Sequence, residues 1–189
     1  MTRRRVPFLL ALFAILTVCT LTLGQQLVRR VVYQALTSTS YLENGRGQYD
    51  AALRHATLAL KFDSNLAGAY GSRCIALSHL ARYEEAIQQC TTAIQKPPFG
   101  DMKSVVYSDR AEAYIRLDRY DLAVADLTEA IRLNGLPYYH FQRGNAYAEL
   151  GLDDQARSDL LTALDLVSRQ AYGEEFLDQI REALGKLDD

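Results

Sequence analysis

Cys74 and Cys90 stand sixteen residues apart, and so do Arg110 and Asp126, Arg143 and Asp159, and Arg73 and Gln89. Two thiols brought together can oxidise to a disulfide, and a guanidinium can meet a carboxylate through two parallel hydrogen bonds. No other residue set has a spacing suited to chemistry. His55, His79 and His140 lack Cys, Asp or Glu at ligand spacing, so no metal is expected. Gly45-Arg46-Gly47 lacks the spacing and the Lys of a phosphate-binding loop. No Ser/His/Asp set lies on a strand–turn–helix elbow, because no strand is expected. The reading is a chain that is not an enzyme, with no cofactor and no small-molecule substrate.

The elements that position these residues follow from composition and periodicity. The chain has 189 residues, 49% hydrophobic and 23% charged, enough for one domain with its own core and too apolar for disorder. With 21 Lys+Arg against 23 Asp+Glu and no basic run in the body, no nucleic-acid partner is expected. Arg3, Arg4 and Arg5 precede an uncharged stretch from Val6 to Leu23. As a helix it would rise about 27 Å, close to the ~30 Å apolar slab of a bilayer. It reads as an uncleaved anchor touching lipid through residues 6–23, or as a signal peptide cleaved after Gly24. Either way the arginines stay cytoplasmic and the body lies outside the cytoplasm, membrane-anchored or secreted/periplasmic. Without those arginines the chain is net acidic, so charge does not draw the body to anionic lipid. Residues 25–33 read as a linker.

The remainder repeats. Tyr49, Tyr83, Tyr120 and Asp153 open similar segments at intervals of 34, 37 and 33 residues. Each is followed by small or apolar residues at i, i+4, i+7 and i+8 on one helical face, as in Ala86, Cys90, Ala93 and Ile94. A second set, Tyr70, Cys74, Leu77 and Tyr107, Ala111, Tyr114, marks a preceding helix in each unit. Asp63-Ser64-Asn65, Pro97-Pro98 with Gly100, and Asn134-Gly135 before Pro137 punctuate the units as helix ends do. Intervals of this size mark stacked helix pairs.

These residues resemble the tetratricopeptide repeat family. Its first small slot holds Ser40, Cys74, Ala111 and Gly144, and its two alanine slots hold Ala52, Ala86, Ala123, Ala156 and Ala59, Ala93, Ala130, Ala163. The resemblance implies an all-α solenoid over residues 34–168, with repeats at about 34–65, 67–98, 104–135 and 137–168. Residues 171–189 follow as a capping helix with Phe176, Leu177, Ile180, Leu184 and Leu187 on one face; the alternative is a partner-binding helix. Seven tyrosines (Tyr49, Tyr70, Tyr83, Tyr107, Tyr114, Tyr120, Tyr147) fall in packing slots. The segment Lys96–Met102 is either a longer linker with Phe99 folded back or a loop presenting Phe99 to a partner.

In such a pair, residues equidistant from the turn lie at one level. Cys74 and Cys90 are centred on Arg82, and are read as either a disulfide or two buried thiols. Arg110–Asp126, Arg143–Asp159 and Arg73–Gln89 are expected to clip paired helices together. The resemblance also implies a partner-binding concave face lined by first helices, here Ser38, Tyr41, Ser72, Ile75, Asp109, Glu112, Arg116, Gln142, Asn145 and Glu149. The Lys/Asn/Arg clamp that some family members use for a terminal carboxylate is not expected, because Thr37/Tyr41 and Ser108/Glu112 fill its slots. The implied function is a scaffold binding a protein or peptide segment outside the cytoplasm, the mixed and partly acidic groove favouring a polar or basic one. The alternative is a structural subunit assembling through its end repeats.

Overall fold

The computed structural model describes residues 5–96, 102–169 and 173–188, with side chains from Thr22 onward. Described residues form nine α-helices and no strand: α1 (Arg5–Gly45), α2 (Tyr49–Phe62), α3 (Ala67–His79), α4 (Tyr83–Gln95), α5 (Lys103–Ile115), α6 (Tyr120–Leu133), α7 (Pro137–Glu149), α8 (Asp153–Ser168) and α9 (Glu174–Gly185).

One turn, used four times, makes the pairs. The residues in left-handed conformation are Gly47, Ala81, Asp118 and Gly151, with φ of 72°, 56°, 55° and 69°. In each turn the next residue's N–H donates back to a carbonyl five residues earlier: Gln48 to Glu43, Arg82 to Leu77, Arg119 to Tyr114 and Leu152 to Tyr147, each at 2.9 Å. These bonds close the ends of the first helices, whose last carbonyls would otherwise lack partners. Two of the four turns use glycine, which bears no Cβ penalty there. Ala81 bears that penalty, so Ala81→Gly is expected to stabilise the fold by about 0.5–1 kcal/mol, read as a raised urea midpoint at unchanged slope.

Small residues on the second helices set the pair spacing. Ala52, Ala56, Ala59; Ala86, Cys90, Ala93; Ala123, Leu127, Ala130; and Ala156, Leu160, Ala163 are all fully buried. The opposing position on the first helix adapts to the larger partners. A Cβ on Gly144 would lie 2.9 Å from Leu160 Cγ. Where α3 and α4 meet, Cys74 and Cys90 are joined as a disulfide with Cα atoms 5.1 Å apart. A loop of this length is expected to add about 3 kcal/mol by restricting the unfolded chain, so reduction should lower the urea midpoint correspondingly.

The two helix layers pack differently over the first three pairs. First helices α1, α3 and α5 touch in series, whereas second helices of successive pairs barely meet. First helices therefore line the inner wall. At the far end Phe176, Leu177, Ile180, Leu184 and Leu187 of α9 and its C-terminal turn cover Leu160, Ala163 and Val167. The capping-helix expectation over 171–189 narrows to Glu174–Gly185.

Residues 25–33 are not a linker. They lie within α1, which continues without a break, and Arg29 Nη2 donates to Phe62 O at 2.6 Å, tying this stretch to the first repeat. No proline interrupts residues 8–45, which removes the physical reason for a break. Among residues with described side chains, no helix is long and apolar enough to cross a membrane. The apolar stretch 6–23 lies outside that set except for its last two residues, and Phe99 lies outside the described residues altogether.

Candidate functional site

The inner wall carries a cavity of about 360 Å³, lined from the end of α3 (Ser78, His79), the start of α4 (Tyr83), α5 (Ser108, Asp109, Glu112 and Arg116 just past its end) and α7 (Tyr138, Gln142). Its polar side chains form one network. Ser108 Oγ donates to Gln142 Oε1 at 2.8 Å, and Gln142 Nε2 lies 3.2 Å from both Glu112 Oε2 and Tyr138 Oη. Glu112 Oε1 accepts from Arg116 Nε at 2.8 Å. Both Glu112 oxygens are thus engaged. Asp109 is the exception, since its buried Oδ2 has no donor among the described residues. Burial, and secondarily the charge of Glu112, pushes its carboxyl up to about 7. Tyr41 of α1 has a buried hydroxyl with no partner among the described residues, and burial followed by the charge of Asp109 raises its pKa.

The inner-wall residues anticipated from sequence divide into three places. Asp109, Glu112, Arg116 and Gln142 meet in this cavity. Ser38 and Tyr41 line a separate cleft with Arg30, Gln34 and Gly68, and Asn145 and Glu149 face a third with Gln179 and Lys186 on the α9 side. Ile75 is half-buried on α3. Ser72 is not available to a partner: it is fully buried, and Asn44 Nδ2 donates to both its carbonyl and its hydroxyl at 2.9 Å. Ser108, placed from sequence at a clamp slot, lines the cavity, and Ser78, His79, Tyr83 and Tyr138 do so without having been anticipated as lining. They sit at helix ends or beside the slots, where position within one repeat gives no signal.

The tyrosines assigned to packing slots are half-buried rather than sealed in. His79 stacks on Tyr49 with ring centroids 4.2 Å apart, and His55 Nδ1 lies 2.7 Å from Glu43 Oε2. Among described residues no group of His, Cys, Asp and Glu could hold a metal ion.

Behind the cavity, Arg110 Nε and Nη2 each donate to Asp126 at 2.7 Å, while Nη1 reaches Thr91 of the preceding pair at 2.8 Å. Arg143 repeats this with Asp159 at 2.6 and 2.9 Å and with Thr128 at 3.0 Å. Each arginine therefore holds three helices and fixes how one pair sits on the next. The third pair does not close: among the described residues, Arg73 Nε and Gln89 Oε1 both lack partners. A neutral amide offers no charge to pair, and the disulfide one residue along joins the same two helices there.

A family model described as tetratricopeptide repeat matches residues 105–135, the α5–α6 unit. The DnaJ homolog subfamily C member 7 homolog of Dictyostelium discoideum is 33% identical over 147 residues, covering 74% of this chain. The chain spans only 25% of that relative's length. Among solved structures, a thermophilic TPR protein of Thermus thermophilus superposes with TM-score 0.66 at 19% identity, over 80% of this chain and 81% of that one. YrrB, described as a TPR protein with an unusual peptide-binding site, gives TM-score 0.61 at 21% identity over 80% and 82%. With the repeated turn, the buried alanine slots and the family match on its third helix pair, the chain is a tetratricopeptide repeat protein.

Proposed function

We propose that this chain is a non-catalytic scaffold that grips a protein or peptide segment along the wall of its first helices. The observation carrying the proposal is the cavity between α3, α5 and α7. It is polar, concave and lined by side chains that do not all satisfy one another, as a packed structural interior would require. YrrB is described as having a peptide-binding site, which supports the same use of the fold. The test is affinity capture with the intact chain and with an Asp109/Glu112/Glu149→Ala variant whose helicity matches it. Partners recovered with the former and lost with the latter are expected; identical partner lists would contradict the use of this wall.

The reading extends to location. A disulfide between Cys74 and Cys90 suits an oxidising compartment, and Arg3–Arg5 ahead of the apolar stretch 6–23 suits export with the body outside the cytoplasm. Protease added to intact cells or spheroplasts should reach the solenoid; full protection until lysis would oppose this.

A second reading, a subunit assembling through its end repeats, is supported by exposed Leu23, Leu27, Val28 and Val31, which share one side of α1. Light scattering separates them, because a monomer favours the scaffold and a defined oligomer the subunit.

A further inference from the structure

We propose, resting on the scaffold reading above, that the cavity between α3, α5 and α7 anchors one alkylammonium group of the partner, received by the carboxylate of Asp109. Two observations lead there. Several of the cavity's polar side chains are matched among themselves, Ser108 with Gln142, and Gln142 and Arg116 with Glu112. Asp109 lines this space, and its Oδ2 is a buried acceptor with no donor among the described residues. A buried carboxylate oxygen without a donor is costly, and a cationic donor relieves it most.

The geometry also selects among cations. A guanidinium bonds two acceptor oxygens side by side, and both Glu112 oxygens are already in use. Asp109 Oδ2 is enclosed and cannot serve as half of a two-oxygen fork, so the open side of this carboxylate suits a compact point charge such as an ammonium. The volume, about 360 Å³, lies at the small end of ligand pockets and admits a single side chain rather than a folded segment. Tyr83 and Tyr138 on the lining supply apolar ring surface for an alkyl stem and π faces for its charge. The ammonium is either a lysine side chain or a chain N-terminus.

Binding then depends on pH. Asp109 is faced by Tyr41 from α1, His79 from α3, Tyr83 from α4, Glu112 and Arg116 from its own segment, and Tyr138 from α7. Of these, Asp109 itself, held near 7 by burial, is the acceptor that must ionise. The ionised fraction falls about ten-fold from pH 8 to pH 6.

The experiment is an NMR titration of the full-length chain, following the Asp109 carboxyl carbon. The probes are N-acetyl-lysine methylamide, glycylglycine methylamide with a free amine, N-acetyl-arginine methylamide and N-acetyl-norleucine methylamide. Saturable binding of the lysine or the free-amine probe at pH 8 is expected, whichever binds identifying the source of the ammonium. At pH 6 binding of the lysine probe should weaken about ten-fold and that of the free-amine probe about four-fold, because its own amine gains protons over this range. Either should weaken at least ten-fold in Asp109→Asn, and the arginine and norleucine probes should bind at least five-fold more weakly. No saturable binding by either amine, norleucine equal to lysine, arginine tighter than lysine, or unchanged binding in Asp109→Asn would each overturn the proposal. The wild-type probe series and pH series stand without the variant should it fold poorly. A partner still captured at wild-type yield by Asp109→Asn would overturn the ammonium anchor while leaving the scaffold reading intact. Loss of capture to the Asp109/Glu112/Glu149→Ala variant alone would support only that broader reading.

Discussion

Asp109→Asn is expected to stabilise the protein at pH 8, relative to its effect at pH 4, by on the order of 4 kcal/mol. The sign follows from the shift. The folded carboxyl titrates at about 7 against an ordinary 3.8, so the folded state resists losing that proton while the unfolded state releases it readily. The stability Asp109 contributes is therefore complete below pH 4 and is lost as pH rises toward and through 7. A shift of about three pH units corresponds to the figure given. Asn cannot ionise and should abolish this part of the pH dependence. Urea unfolding of both proteins at pH 4, 6 and 8 measures it. A stability difference between them that is flat with pH would show that Asp109 is not held in a charge-averse site. A group so costly to ionise in the free protein is a natural place for a partner's charge to act.

The other large effect is expected at Arg110. Replacing it with Met removes the two 2.7 Å bonds to Asp126, which is itself 6% exposed, and leaves that carboxylate buried without its cation. Breaking a buried pair on one side typically costs 3–5 kcal/mol. Arg143→Met should cost less, although its geometry is nearly the same. Asp159 keeps a second partner, because His140 Nδ1 lies 3.1 Å from its Oδ1. Burial alone would raise the Asp159 carboxyl, but the bonds from Arg143 and then His140 outweigh it and hold the carboxyl below its ordinary range. Chemical denaturation of the two variants at pH 7 should rank them Arg110→Met below Arg143→Met. Equal losses would mean that His140 does not support Asp159.

How much could be read from the sequence depended on how local the cause was. The alanine slots and the sixteen-residue spacings were legible because helical period and the mirror relation across one turn determine them within a single pair. Cys74 with Cys90, Arg110 with Asp126 and Arg143 with Asp159 are all brought together by that relation. Arg73 with Gln89 shows its limit, since spacing delivers proximity but charge decides whether a bond forms. The cavity was only partly legible. Asp109, Glu112, Arg116 and Gln142 follow from slot positions, but Tyr83, His79 and Tyr138 enter it from the ends of helices in different pairs, which no single repeat specifies. Ser72 looked like a groove residue because its slot is one. Only the arrival of Asn44 from the neighbouring pair removes it. The linker expected at 25–33 failed for a simpler reason, as nothing in that stretch breaks a helix strongly enough to stop α1.

The scaffold reading and the ammonium anchor both depend on partners meeting the first-helix wall rather than the outer one. A photoreactive amino acid placed in turn at Ser38 and Arg116 on the inner side, and at the exposed Leu58 and Leu161 on second helices, tests this directly in membranes or extracts of the native source. Cross-links concentrated at Ser38 and Arg116, competed by excess unlabelled protein, are the predicted result. Equal or greater yield from Leu58 and Leu161 would contradict it.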